Sequence, residues 1–245
     1  MSIQQDLQPD PSVNDRSLAM AWRAGFGQLD GQELLAAMVW RAFPGRIALV
    51  SSFGAEAALL LAMLADIDRH VPVIFLDTGK HFPETLMYRD VLVRRFGFTD
   101  VRSIEPDLAE LETSDPTGDL WQSNPDECCH LRKVLPLKRA LAPFQAWITG
   151  RKRFHGGDRA ALPTVEYVGD QVKVNPLANW TPDQVETAVR ARGLPAHPLV
   201  RDGYPSIGCA TCTKRAAGGL GSRSGRWAEQ DKNECGIHQR VAPEV

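Results

Sequence analysis

The feature that most constrains this chain is a pair of adjacent cysteines, Cys128-Cys129, matched much further along by Cys209-Ala210-Thr211-Cys212. With Cys235 near the carboxyl end, these account for all five cysteines in 245 residues. Four thiols in two close pairs ask the fold to bring two distant segments onto one four-coordinate centre, leaving the fifth as a reactive thiol. The spacing lets Cys209 and Cys212 reach one metal ion or cluster, and Cys128 and Cys129 can supply the other two ligands. Adjacent side chains leave the backbone in unequal directions, which a bulky cluster accommodates more readily than one small ion. From the residues alone, structural zinc and an iron–sulfur cluster stand as equal alternatives, both ahead of inert buried thiols.

Those alternatives presuppose a reducing compartment. The amino-terminal stretch MSIQQDLQPDPSVND is polar and acidic, unlike a secretory signal, and no apolar run approaches the roughly 20 residues that span a bilayer. A cytoplasmic protein is expected. The formal charge of −2 gives no overall pull towards nucleic acid or an anionic membrane, so neither is expected as a partner and any anion site must be built locally. With 43% apolar residues the chain can bury a sizeable core. Residues 1–16 read as a flexible lead-in, 17–208 as one folded unit holding nucleotide and cluster, and 209–245 as a mobile tail carrying the CxxC pair and Cys235.

Between these ends the hydrophobic pattern alternates. Helical periodicity over 17–26 and 32–43 precedes a short apolar strand at 46–50, with Asp30 as a plausible cap for the second helix. The sequence SSFGAE and an apolar helix over 57–67 follow. A strand at 71–76 ends at Asp77-Thr78-Gly79, Pro83 opens a helix to Arg95, and another strand lies near 101–104. After a loop over 115–126 comes the cysteine helix, where Pro136 removes the helical partner of the Arg132 carbonyl and predicts a kink. A buried strand at 145–149 leads into GRKRFHGGDR, residues 165–167 and 171–174 form a hairpin, and Thr181-Pro182-Asp183-Gln184 signals a helix start. Strands and helices in this order predict an α/β fold, a parallel twisted sheet with helices on both faces. Ligands then sit beyond the carboxyl ends of the strands, where both SSFGAE and Asp77-Thr78-Gly79 fall.

Small residues at the SSFGAE turn (Ser51, Ser52, Phe53, Gly54) let backbone N–H groups approach an anion, although an ordinary tight turn reads the same way and the Gly-Lys-Ser/Thr ending of a Walker loop is missing. Asp77 and Thr78 can touch a ribose or a cation, but a plain Asp turn explains them as well. Arg132, Lys133, Arg151, Lys152, Arg153, Arg159, Arg223 and Arg226 concentrate near these motifs and suit a substrate with several anionic oxygens. For Lys152 and Arg153 a solvated surface is the better explanation. Cys235 becomes a nucleophile only with exposure and a basic partner, for which His238 or an arginine serves. His70 and His197 lack metal-ligand spacing and read as structural.

Taken together, SSFGAE, DTGKHFPET, CCHLRKVLPL, the basic loop at Gly150, CATCTK, and residues 223–227 followed by NECGIH resemble the assimilatory adenylyl-sulfate (APS) reductases, the iron–sulfur branch of the APS/PAPS reductase family. The resemblance runs from about Arg46 to His238. It implies an adenine-nucleotide alpha-hydrolase-like fold and a [4Fe–4S] cluster on Cys128, Cys129, Cys209 and Cys212. It further implies that Cys235 attacks the sulfur of APS, releasing AMP and leaving a thiosulfonate that thioredoxin or a glutaredoxin-like reductant cleaves to sulfite. Lys133, Arg159, Arg223, Arg226 and Trp227 are implied around the phosphosulfate, with Ser51, Ser52, Phe53, Gly54, Leu76, Asp77, Thr78 and Gly150 near the nucleotide. Within the family the CC and CxxC pairs go with APS rather than PAPS, and reduction of PAPS, or of both, stands as the alternative. An ATP-pyrophosphatase-type enzyme and a zinc-stabilised nucleotide-binding module are the competing classes, and the sequence leaves homo-oligomerisation open.

Overall fold

The computed structural model describes residues 21–22, 24–216, 221–228, 232 and 234–238. The lead-in expected over 1–16 lies outside the described residues, as do the first residues of the helix expected over 17–26 and parts of the carboxyl-terminal tail.

Six short strands make one sheet: β1 (Ile47–Val50), β2 (Val73–Leu76), β3 (Val101–Ile104), β4 (Ala146–Ile148), β5 (Val165–Val168) and β6 (Gln171–Val174). Their order is β3-β2-β1-β4-β6-β5. Every pairing is parallel except β5 with β6, where the hairpin adds an antiparallel edge strand to the expected parallel sheet. That edge follows from Gly169, whose φ of 63° lets the chain reverse within the turn.

Alternation along the strands gives the sheet two apolar faces. Ile47, Leu49, Val73, Phe75, Ala146, Ile148, Val172 and Val174 point to one face, which α1 (Gly31–Ala37), α2 (Ala57–Ile67), α3 (Pro83–Phe96) and α8 (Pro182–Ala191) cover. Ala48, Ile74, Leu76 and Trp147 point to the other, which packs on Leu137, Leu141 and Phe144. The cysteine-bearing segment is therefore the lid of the second face. Helices α1 and α3 begin near the expected residues, but the Asp30 side chain makes no capping bond and α1 continues as a π-helical turn, Met38–Ala42.

Two helices were not legible as such. Helix α4 (Leu108–Ser114) starts where the Asp107 carboxylate accepts from the N–H groups of Ala109 and Glu110 at 2.9 and 3.1 Å. The pattern Asp107-x-x-Glu110 is the signal that could have found it. Helix α5 (Leu120–Ser123) is a single turn inside the expected loop.

The cysteine segment has three parts: α6 (Pro125–Cys129), a π-helical turn (His130–Val134) and α7 (Leu135–Leu141). Asn124 caps the start through the Glu127 N–H, and Leu135 N–H bonds the carbonyl of His130, five residues back. Pro136 has no N–H to give Arg132, so the helix widens by one residue rather than simply kinking.

The Thr181 capping box forms in full, its hydroxyl accepting from Gln184 N–H while the Gln184 side chain accepts from Thr181 N–H. Thr181→Ala removes one half of this exchange. Urea unfolding should show a loss of about 1 kcal/mol with an unchanged m-value.

Candidate active site

Strands β1 and β4 are neighbours, yet the chain leaves β1 towards β2 and β3 before returning to β4 on the other side. This reversal opens a crevice at the carboxyl ends of the two strands. A cleft occupies it, with an apolar end (Leu49, Val50, Leu60, Leu76) and an end where Lys133, Arg159, Arg223, Arg226 and Cys235 meet.

The sequence-predicted residues divide on this geometry. Ser51, Ser52, Gly54, Leu76, Gly150, Lys133, Arg159, Arg223, Arg226, Trp227 and Cys235 line the cleft. Phe53 does not: its side chain is fully buried, edge-on to Phe75 at 5.6 Å, and its φ of 47° turns the Ser51–Gly54 backbone towards the opening. Asp77 and Thr78 are not lining residues either. Asp77 accepts from Gly79 N–H in a local turn, and the buried Thr78 hydroxyl lies 3.3 Å from the Cys209 sulfur.

Lys152 corrects an expectation. Rather than facing solvent it is 2% exposed, donating to Glu56 at 2.7 Å and to the Gly150 carbonyl at 3.0 Å, whereas Arg153 is exposed as expected. Burial on its own would raise the Glu56 carboxyl, but His155 and Lys152 together hold it at about 2. Glu56, Lys152, His155, His81 and Glu234 all line the cleft and were missed. Only the position of Glu56 directly after SSFGA hinted at such a role.

The thiols gather at the far end. Cys209 is drawn in by a backbone bridge to His81, and Cys212 closes the turn Ala210–Cys212. Cys128, Cys129, Cys209 and Cys235 are buried, and all five cysteines are free thiols. Burial pushes the Cys128 thiol up, opposed by Arg132, while its neighbours Cys209 and Cys212 add to the rise. Cys129 packs instead with Cys235 and Trp227, so the adjacent thiols do diverge. Among the described residues no three Cys, His, Asp or Glu side chains converge as they would on a single metal ion.

Cys235 was expected to be exposed beside a basic partner; it is buried instead. The Cys129 hydrogen bond outweighs that burial, and Lys133, the Ile237 N–H and Arg226 add to it, holding the thiol well below its ordinary value. Burial raises the cost of charging Lys133, but its coupling to the sulfurs of Cys209, Cys235 and Cys129 outweighs that and holds the ammonium above its ordinary value. His238 is not the base. Burial, together with the charges of Lys173, Arg151, Arg159 and Arg223, keeps it neutral, and its ring lies parallel on Trp147 at 6.1 Å.

Trp227 completes this end. Its backbone is held at φ 51°, its N–H bonds the Cys212 carbonyl at 3.1 Å, and the Arg226 guanidinium sits 4.4 Å from its ring centroid. Its indole N–H is buried with no protein partner, a donor available to a bound anion.

The model of the phosphoadenosine phosphosulfate reductase domain matches residues 46–215. The chain belongs to this reductase family. The adenosine 5'-phosphosulfate reductase of Mesorhizobium japonicum is 54% identical over 213 residues, covering 87% of this chain and 84% of the relative. The phosphoadenosine 5'-phosphosulfate reductase of Gloeobacter violaceus is 39% identical over 97% of this chain and 100% of its own length. A crystal structure of a PAPS reductase from Candida auris, a phosphate complex, superposes with a TM-score of 0.65 at 28% identity, covering 82% of this chain and 98% of that one. Family and fold thus agree: the sheet is of the adenine-nucleotide alpha-hydrolase-like kind, and the enzyme is an oxidoreductase acting on sulfur.

Within this reductase site, Gly208 lies directly beneath the Arg226 guanidinium, and a Cβ there would overlap it. Gly208→Ala should push Arg226 out of register. Steady-state kinetics should show kcat/KM for the anionic substrate falling by about tenfold or more, with the thermal midpoint little changed.

Proposed function

We propose that the chain reduces adenosine 5'-phosphosulfate to sulfite and AMP, through a thiosulfonate on Cys235. The observation that carries this reading is geometric: the Cys235 thiol lines the same cleft at the strand ends as Lys133, Arg159, Arg223 and Arg226. The nucleotide's apolar base suits the end formed by Leu49, Val50, Leu60 and Leu76, and the SSFG turn offers N–H groups to its phosphate. Cys235 Sγ attacks the sulfur of the sulfate, the S–O bond to phosphate breaks, and AMP leaves with that electron pair. Two anions must meet in this step, so Lys133, Arg226 and the Trp227 N–H oppose the growing charge. A dithiol of the thioredoxin or glutaredoxin class then attacks Cys235 Sγ. Sulfite departs with the S–S electron pair, and the second thiol of the reductant resolves the mixed disulfide. Such a reductant, and five thiols kept free, fit a reducing cytoplasm.

Four of those thiols suit a [4Fe–4S] cluster on Cys128, Cys129, Cys209 and Cys212. The donor set is soft and three of its four members are buried, the Thr78 hydroxyl stands 3.3 Å from Cys209, and Arg132, Lys133 and Arg226 supply counter-charge. Bound there, a cluster would supply a fixed charge beside Lys133 rather than electrons, since the dithiol already provides both.

APS is favoured over PAPS by the charges at the SSFGAE end. Lys152 is matched by Glu56 at 2.7 Å, and Arg151 by Glu166. A second phosphate there would have to displace carboxylates fixed on a strand and at a helix start. The kcat/KM ratio for the two nucleotides tests this preference.

Incubation with APS followed by mass spectrometry should find a sulfite-sized adduct on Cys235. Cys235→Ser should form none and turn over no substrate, yet keep its iron; an adduct at another position would overturn the assignment. Cys212→Ser should lose both iron and activity, and full activity in an iron-free variant would refute the cluster.

A further inference from the structure

The anion-binding end of the cleft is already occupied by a carboxylate of the chain itself. Glu234, immediately before Cys235, meets the Arg159 guanidinium through two parallel contacts, Nε to Oε2 at 2.5 Å and Nη2 to Oε1 at 2.8 Å. Its Oε1 lies 3.7 Å from Arg223 Nη2 and accepts the N–H of Cys235 at 3.0 Å. Glu234 and Arg159 side chains are only 10% and 11% exposed. Both arginines and Glu234 line the cleft into which Cys235 opens.

A two-pronged guanidinium–carboxylate contact uses the donors that a phosphate or sulfate would use. A second anion brought to the same fork meets repulsion from the first, in an enclosed site where charge is poorly screened. Glu234 and the substrate's oxyanion thus compete for one arginine pair.

We infer that Glu234 is a built-in stand-in for the phosphosulfate, holding the Cys235 segment closed on the empty site until the substrate's oxyanion displaces it from Arg159 and Arg223. This inference rests on the proposed activity. Because Glu234 is covalently joined to Cys235 and bonded to its N–H, displacement frees the thiol to reposition against the bound sulfur. The device costs affinity, since binding must first break the internal pair. In return, the arginines are never left as buried, unpaired charges when the site is empty. Glu234 is a positioning residue here and takes no part in the bond exchange.

The test uses iron-loaded enzyme and adenosine 5'-diphosphate, whose terminal phosphate replaces the sulfate without a reactive sulfur. Glu234→Gln removes the competing charge and keeps the shape. It should bind the diphosphate about three- to tenfold more tightly and lower KM for APS by a similar factor, while kcat does not rise, because the thiol loses its anchor. Glu234→Ala should show the same gain, which guards against a folding defect in the Gln variant. Glu234→Asp, still charged, should bind close to wild type. Equal or weaker diphosphate binding by both neutral variants, with the wild type active on APS, overturns this inference alone. A wild type that neither reduces APS nor binds the diphosphate overturns the functional reading and this inference with it.

Discussion

Everything at the reactive end depends on holding positive charge beside Cys235, where water cannot screen it. Lys133 and Arg226 supply that charge, and both act on Cys235. A buried ammonium or guanidinium is stable only when opposed by a partner, and a thiolate is populated only beside a cation, so the two conditions sustain each other. The π-helical turn matters for this reason. It carries Lys133 directly after the cysteine pair, with the ammonium facing the cleft while Cys128 and Cys129 stay enclosed behind it.

The same logic recurs along the whole cleft. A chain with a net charge of −2 presents a cationic site by matching several buried cations with carboxylates of its own: Arg132 with Asp115, Arg151 with Glu166, Lys152 with Glu56, Arg159 with Glu234. The first of these also ties the cysteine segment to β2's following loop, since Arg132 donates to the Thr78 carbonyl at 3.0 Å. Scaffold and site are therefore joined by the same ion pairs. Replacing one partner leaves the other charged and enclosed, which is costlier than losing both.

Much of the fold was legible. Strands of four apolar residues ending in small or acidic residues, with amphipathic helices between them, admit few arrangements other than a mostly parallel sheet, and the Thr181 box and Pro83 fixed two helix starts within a residue. The β5–β6 hairpin around Gly169-Asp170 was legible too, whereas the single-turn helix α5 is too short to show a period. In the site, motif residues that sit on strand ends reached the cleft, whereas Asp77, Thr78 and Phe53 turned to local structure or the core. A motif gives the position of the backbone, and the side chain's direction follows from packing.

Sequence alone determined which chemistry is available: five thiols in a pattern of two pairs and one, a β–turn–α anion loop, and family membership that those motifs carry together. These are properties of residue type and spacing, which survive without knowing any contact. Only the tertiary structure decided which charges are paired and which face a substrate. It buried Lys152 against a glutamate distant in sequence, made His238 a neutral stacking partner of Trp147 rather than a base, and set Glu234 on Arg159. Each outcome depends on burial and on distances of a few ångströms between segments far apart in the chain, and it is at those distances that Coulomb energy and desolvation settle the state of a charged group.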